Sequence, residues 1–234
     1  MPQETFLDTL KVRPKSSALY EEAFTHRSYL NEHPEWPYPH NERLEYLGDA
    51  VLELAVSEYL YQTYPRAAEG ELTVLRASLV NYQILARVAG AINLGSVIRM
   101  SKSEMRDMGR AREVILANAF ESFVGALYLD QGFAFVETFV RMHVIDPHIA
   151  EILKTKSYRD PKSELQELIQ EKEKVTPSYR VLGESGPAHK REFRSGVYAG
   201  DMLLGEGEGP SKQEAEADAA KHALKKLTAR KRKV

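Results

Sequence analysis

Residues 41–52 read Asn-Glu-Arg-Leu-Glu-Tyr-Leu-Gly-Asp-Ala-Val-Leu, and this stretch decides how the rest of the chain is interpreted. Four apolar residues follow one another here at steps of three or four, the spacing of one helix face: Leu44, Leu47, Val51 and Leu54. Beside that face, Glu42, Glu45 and Asp49 fall within about 60° of one another on the helix surface. Like charges at this spacing repel by a few tenths of a kcal/mol per pair. A hard divalent cation would offset the repulsion, and an exposed acidic helix face is the alternative.

A second acidic helix is predicted around residues 115–127. Asn118 and Glu121 lie three residues apart, among apolar residues at helical spacing: Leu116, Phe120, Phe123, Val124 and Leu127. Glu69, just before Gly70, is a further candidate, although acidic residues are also common at helix N-termini because they interact favourably with the helix dipole. Two acidic helices within one apolar region favour a metal site over a solvated surface.

The composition excludes several other functions. No cysteine is present, which excludes disulfides, thiolate catalysis and cysteine-ligated metal sites. The histidines show no pairing at a metal-ligand spacing, so a zinc hydrolase is disfavoured. No apolar run approaches the roughly 20 residues that span a bilayer, and the N-terminus does not resemble a signal peptide. We therefore expect a cytoplasmic protein with no membrane association and no organic cofactor.

The chain divides into two regions of different character. Residues 1 to about 152 are predicted to be helical, with one helix over Glu71–Ala89 and a proline-rich loop over His33–His40. Asp160-Pro161 then opens a new helix. Three strands follow, and a capping box begins the last helix: Ser178–Leu182, Glu192–Tyr198, Met202–Glu206 and Ser211–Glu214. The predicted domains are 1–153 and 160–229, with a linker at 154–159 and a basic tail at 230–234.

The motifs together resemble the ribonuclease III family. NERLEYLGDAVL looks like the signature motif of that family, and further blocks match in order: Thr25–Ser28, Glu69–Leu72, Leu75–Val80 and Ile115–Glu121. The resemblance implies an all-helical endonuclease domain followed by a small α-β-β-β-α domain that binds double-stranded RNA. It also implies a homodimer that hydrolyses double-stranded RNA through a metal-activated water. The products would carry a 5′ phosphate and short 3′ overhangs, and the substrates would include ribosomal RNA precursors and other structured RNA such as mRNA.

The resemblance also implies roles for individual residues. Glu45, Asp49 and Glu121 would be catalytic and would hold Mg²⁺, for which Mn²⁺ can substitute. Glu42 and Glu69 would line the same acidic valley, and Tyr46 would pack against the partner subunit. Asn118 stands where several family members carry Asp, and it would act as a weaker or water-mediated ligand.

Three alternatives remain open. Histidine-based ribonuclease chemistry is not excluded by counting, although a structural hydrogen-bonding role is favoured for His26. A non-catalytic protein that binds double-stranded RNA on the same fold would have replaced its carboxylates, and here only Asn118 points that way. A di-iron helical bundle would need Glu-x-x-His pairs, which Glu42 and Glu45 do not form.

The C-terminal region carries three candidate RNA contacts, each matching a contact region of the double-stranded-RNA-binding domain. They lie on the first helix, in the loop between the first two strands, and at the start of the last helix: Ser163, Gln166 and Glu167; Pro187 and His189; Ser211 and Lys212. Taken singly, each could be a solvated residue or a helix cap. Lys212 is followed by Gln213 and Glu214 rather than by more lysines, so the basic stretch from Lys225 to Lys233 would have to compensate.

Overall fold

The computed structural model describes residues 2–106, 109–155, 161–187 and 191–231. The chain forms two compact units, Met1–Tyr158 and Arg159–Val234. The first unit is built from helices and the second from a three-stranded sheet with two helices, which confirms the predicted fold class. None of the helices in the described ranges is both long and apolar enough to cross a membrane.

Ten α-helices form the described part of the first unit. They are α1 (Pro2–Thr9), α2 (Ser17–Ala23), α3 (Arg27–Glu32), α4 (Glu42–Thr63), α5 (Glu69–Leu79), α6 (Tyr82–Ala91), α7 (Lys102–Arg106), α8 (Arg110–Gln131), α9 (Phe133–Val140) and α10 (Asp146–Thr155). The proline-rich segment between α3 and α4 is a loop, as predicted. Helix α10 continues through Thr155, so the predicted linker at 154–159 begins within a helix. No proline lies between Pro147, at the start of α10, and Pro161.

Helix α8 is the centre of this unit. Its residues from Phe120 to Leu127, apart from Glu121, are all buried, which is why apolar positions occur on every side of it. The ring of Phe123 lies 5.6 Å from that of Phe6 and 5.5 Å from that of Phe24. These aromatic contacts attach the N-terminal helices to the middle of α8.

The single helix predicted over Glu71–Ala89 is wrong, because the chain breaks there into α5 and α6. Asn81 caps the second helix, since its side chain accepts a hydrogen bond from the backbone N–H of Ile84 at 3.0 Å. Its side-chain amide also donates to the carbonyl of Ser78 at 2.9 Å, at the end of α5. The apolar spacing continues across this break, so periodicity alone did not reveal it.

The second unit contains α11 (Pro161–Glu173), β1 (Ser178–Ser185), β2 (Glu192–Ala199), β3 (Met202–Gly209) and α12 (Lys212–Lys231). The strands form one antiparallel sheet in the order β1-β2-β3. Three glycines of β3 lie against a stripe of alanines on α12: Gly205, Gly207 and Gly209 against Ala215, Ala219 and Ala223. A side chain at Gly207 would overlap the backbone of α12, so the helix sits directly on the strand. Helix α12 continues to Lys231, beyond the predicted domain end at 229.

Candidate functional site

Two glycines bring the acidic helices α4 and α8 into backbone contact. A Cβ atom at Gly48 would overlap the carbonyl of Glu121 and lie 2.9 Å from the backbone nitrogen of Gly125. A Cβ atom at Gly125 would in turn overlap the carbonyl of Leu44. Real side chains cannot approach that closely, so this crossing requires glycine on both helices. Sequence reasoning missed the role of these glycines, although a glycine inside a helical pattern is a known signal of close approach.

The crossing places Glu121 among other carboxylates. Burial and the charges of Asp49 and Glu45 raise the pKa of Glu121 to about 8, so its carboxyl group holds a proton at neutral pH in the absence of a cation. Burial and the charges of Glu42 and Asp49 also raise the pKa of Glu45. The acids of α4 and α8 therefore form one electrostatic cluster.

Asn118 belongs to the same cluster. Its side chain hydrogen-bonds the carboxylate of Glu45 and thereby lowers the pKa of that group, partly opposing the effect of burial. An amide oxygen, like a carboxylate oxygen, is a suitable ligand for a hard divalent cation. The side chains of four residues thus supply a set of ligands that are all oxygen atoms: Glu45, Asp49, Asn118 and Glu121. The strongly raised pKa of the Glu121 carboxyl indicates that this cluster lacks a compensating positive charge.

The cluster is open rather than closed. Within the described ranges, no three His, Cys, Asp or Glu side chains are gathered closely enough to hold a metal ion by themselves. Carboxylates without a cation between them are expected to keep apart because they repel. The donor types fit a divalent cation.

Two further predicted residues lie outside this cluster. Glu69 is exposed in the first turn of α5, where its carboxylate accepts a hydrogen bond from the Thr73 hydroxyl at 3.1 Å. Its charge is not among those that shift the pKa of Glu45 or Glu121. Tyr46 is 83 % exposed on the solvent side of α4. The structure thus leaves Glu69 apart from the four clustered residues, and leaves Tyr46 available for contact.

His26 has a structural position. It is the N-cap of α3, and its Nδ1 lies 2.8 Å from the Ser28 hydroxyl and accepts the backbone N–H of that residue at 3.3 Å. The Ser28 hydroxyl in turn accepts the backbone N–H of Ser101 at 3.0 Å. Burial lowers the pKa of His26, so it is neutral at neutral pH. These contacts agree with the hydrogen-bonding role favoured from the sequence.

In the second unit, the predicted RNA contacts on α11 point to solvent: Ser163, Gln166 and Glu167 are all exposed. Pro187 is exposed after β1, whereas His189 lies outside the described residues. At the start of α12, the backbone N–H of Glu214 donates to the Ser211 hydroxyl at 3.2 Å, which caps the helix. The Lys212 ammonium lies 5.8 Å from the centre of the Phe193 ring.

Lys162 was not singled out from the sequence, yet it joins the two helices of this unit. Its ammonium lies 2.6 Å from the carboxylate of Glu216 on α12 and 4.6 Å from the centre of the Tyr179 ring. These contacts fix α11 and α12 relative to the sheet. The exposed residues of both helices are therefore held in fixed positions.

Comparisons with known proteins agree with the arrangement of the chain. A family model described as "Ribonuclease-III-like" matches residues 16–148, and one described as "Double-stranded RNA binding motif" matches residues 161–227. The chain is 47 % identical to Ribonuclease 3 of Bacillus cereus over 96 % of its length and 91 % of that protein. It is 48 % identical to Ribonuclease 3 of Bacillus anthracis over 95 % of its length and 90 % of that protein.

Solved structures are similar over the first unit. The nuclease domain of ribonuclease III from Campylobacter jejuni is 38 % identical, with a TM-score of 0.55, and the match covers 62 % of this chain and 95 % of that chain. A second structure of that domain, described for flexibility in a region involved in dimer formation, has a TM-score of 0.53 at 38 % identity. Its match covers 60 % of this chain and 96 % of that chain.

Proposed function

The chain belongs to the ribonuclease III family and is an endoribonuclease acting on double-stranded RNA, and we propose that Glu45, Asp49, Asn118 and Glu121 form its metal-binding catalytic centre. The observation that carries this proposal is the backbone contact of α4 and α8 at Gly48 and Gly125, which places Glu121 beside Glu45 and Asp49 and raises its pKa to about 8. A group in this state is stabilised in its charged form only when a cation is bound beside it.

The family is metal-dependent, and we propose Mg²⁺ as the ion, with Mn²⁺ as a substitute. When bound, such an ion acidifies a water for attack on phosphorus and offsets the negative charge that the phosphate gains. Glu45, Asp49 and Glu121 would hold the ion. The Asn118 side chain would contribute its amide oxygen while its amide nitrogen can still donate to Glu45. The bound ion would favour the ionised form of Glu121. Glu42 and Glu69 extend the acidic surface along which the RNA lies.

We propose that two copies of the chain act together, each cutting one strand. Three large side chains on the solvent side of α4 support this proposal: Tyr46, Leu54 and Tyr61 are 83, 55 and 74 % exposed. At 100° per residue they fall on one side of the helix, which makes an apolar stripe that a second copy can cover. Tyr46→Arg should shift the protein from dimer to monomer in sedimentation, and an unchanged dimer would contradict this interface.

The second unit binds the duplex and directs it to the catalytic centre. We propose that Ser163, Gln166 and Glu167 contact one minor groove, that Pro187 and His189 enter the next, and that Ser211 and Lys212 bind the phosphates between them. Domains of this kind recognise A-form shape rather than sequence. The proposed cellular substrates are therefore structured RNAs such as ribosomal RNA precursors and messenger RNA.

The test is cleavage of a long perfect RNA duplex in Mg²⁺, beside Glu121→Gln and a Ca²⁺ control. We expect products with 5′ phosphates and short 3′ overhangs from the wild type, and intact duplex that still binds to Glu121→Gln. If the wild type binds but does not cut in any divalent metal, the alternative of a non-catalytic RNA-binding protein replaces the proposed one. The three carboxylates of the cluster and the similarity to nucleases favour the catalytic function over the non-catalytic alternative.

A further inference from the structure

We propose that Arg110, together with Arg27 in the same cleft, binds a backbone phosphate of the RNA strand next to the phosphodiester that is cut. The inference rests on the proposed catalytic centre and assigns the substrate contact that adjoins it. A cleft of about 800 Å³ lies between the starts of α3, α4 and α8. Glu42, Glu45 and Asn118 line it together with Arg27, Asn31 and Arg110. The cleft is therefore continuous with the acidic cluster.

Arg110 is well suited to bind an anion. It is the first residue of α8 and is exposed to solvent. Its guanidinium carbon lies 5.4 Å from the centre of the Tyr82 ring, so the planar group rests on an aromatic face. Stacking of this kind orients a guanidinium while its N–H donors remain at the edge, free for bidentate contact with a phosphate. Within the described ranges, Arg110 forms no ion pair with a carboxylate.

Arg27 reaches the same cleft from α3. Its guanidinium lies 3.5 Å from the carboxylate of Glu42, but the side chains are 71 and 49 % exposed, so the ion pair is weak. The charge of Arg27 also lowers the pKa of Glu45, which places it within electrostatic reach of the cluster. A phosphate that enters the cleft can therefore replace Glu42 as the partner of Arg27 at little cost in free energy.

The chemistry of the substrate requires positive charge at this place. An RNA strand that crosses the acidic cluster carries one negative charge per nucleotide, and a metal ion neutralises the phosphate being cut. The neighbouring phosphate would still face Glu42, Glu45 and also Glu104, which lines the same cleft. Arg27 and Arg110 offset that repulsion. The Asn31 amide can donate to a ribose hydroxyl, since contacts with 2′-hydroxyls and phosphates are how proteins recognise A-form RNA.

The experiment compares the wild-type full chain with Arg110→Gln, Arg110→Lys and Arg87→Gln. Arg87 is an exposed arginine on α6 that lines a different cleft, so it is the matched control. Affinity for a long RNA duplex is measured in Ca²⁺ across a range of salt concentrations, and cleavage is measured in Mg²⁺. Calorimetric titration with Mg²⁺ alone, without RNA, monitors the metal centre separately.

We expect Arg110→Gln to weaken duplex binding about tenfold, and to reduce the slope of log affinity against log salt by about one. We expect KM to rise while kcat changes less than threefold, with Mg²⁺ affinity unchanged. Arg110→Lys should restore the salt slope but only part of the affinity, because the charge is kept and the planar donor set is lost.

Three results would overturn the inference. Arg110→Gln could match Arg87→Gln in affinity and salt slope, which would exclude a phosphate contact. It could lower Mg²⁺ affinity, which would mean that Arg110 acts through the metal centre. It could leave binding of the long duplex unchanged and weaken only binding of the isolated cut product, titrated in Ca²⁺ in the same way, which would place a terminal 5′ phosphate rather than a backbone phosphate in the cleft. Absence of cleavage by the wild type would instead refute the proposed catalytic centre. The binding measurement in Ca²⁺ would still test whether Arg110 contacts a phosphate.

Discussion

Glu121→Gln is predicted to stabilise the metal-free protein at and above neutral pH, and to remove a pH dependence that the wild type shows. Burial and the charges of Asp49 and Glu45 raise the pKa of Glu121 from 4.5 to about 8 in the folded chain. In the unfolded chain the group returns to its ordinary value. The folded state therefore binds this proton more tightly, and its contribution to stability is lost as pH rises from 4.5 towards 8.

The size of the effect follows from linkage between proton binding and folding. One pKa unit corresponds to about 1.4 kcal/mol, so a shift from 4.5 to 8 sets an upper bound of about 5 kcal/mol. Glu121 keeps partial contact with solvent, and water screens its neighbours. We therefore expect the free energy of unfolding of the wild type to fall, relative to Glu121→Gln, by about 2–3 kcal/mol between pH 5 and pH 8.

The assay is urea unfolding in EDTA at several pH values, followed by tryptophan fluorescence. Trp36 is the single tryptophan of the chain and lies in the first unit, 4.5 Å from the Arg99 guanidinium, so its signal reports on that unit. The difference between wild type and variant removes the contribution of the titrating groups that do not interact with Glu121. Saturating Mg²⁺ should abolish most of the difference, because the ion replaces the proton.

Glu113→Gln is the matched control, since Glu113 is an exposed carboxylate on the same helix. It should follow the wild-type curve at every pH. If the curves of wild type and Glu121→Gln run parallel from pH 5 to pH 8 in EDTA, Glu121 does not carry a raised pKa, and the electrostatic argument for the metal centre fails.

Three further predictions concern the metal centre and its support. Asn118→Asp should raise Mg²⁺ affinity about tenfold in calorimetry, because it adds a fourth carboxylate; unchanged affinity would place residue 118 outside the site. Gly125→Ala should lower the free energy of unfolding by about 1–3 kcal/mol, since its Cβ would overlap the Leu44 carbonyl, whereas Gly90→Ala, with open space around it, should be neutral or stabilising. Asp130→Asn should destabilise the protein by about 3 kcal/mol, because its buried carboxylate accepts the backbone N–H groups of Lys15 and Ser16 and the Tyr20 hydroxyl. Although burial opposes them, these hydrogen bonds lower the pKa of Asp130, so the wild type should lose this stability as pH falls below 4 while the variant should not.

Much of the fold could be predicted because the apolar spacing along each helix is a local property. The helical period of Leu44, Val51 and Leu54 predicted α4, and the three strands followed from alternation and turns. The break between α5 and α6 was missed because it depends on one capping residue, Asn81, whose bond to Ile84 is not visible in an apolar pattern. Helices α10 and α12 each run two residues past a predicted domain boundary, since lysine and arginine are good helix formers and give no stop signal.

The candidate site was predictable in its residue types but not in its assembly. Helical spacing places Glu45 beside Asp49, and Asn118 beside Glu121, but it says nothing about the distance between the two helices. That distance is set by Gly48 and Gly125, which allow the backbones to touch. The arginines of the cleft have no local sequence signal, because Arg27 and Arg110 are 83 positions apart in the chain and line one cleft only in the folded protein.

The same packing explains how the chain tolerates an acidic cluster that opposes folding. Without a cation, Glu121 must either stay protonated or face Asp49 and Glu45 as an anion, and both states cost free energy. On the other side of α8, Phe120 and Phe123 are fully buried, and each such side chain contributes about 2–3 kcal/mol. One helix therefore carries both the destabilising carboxylate and the apolar residues that offset it. Because the backbone contact at Gly48 and Gly125 holds the helices together, a bound cation has to reposition only side chains.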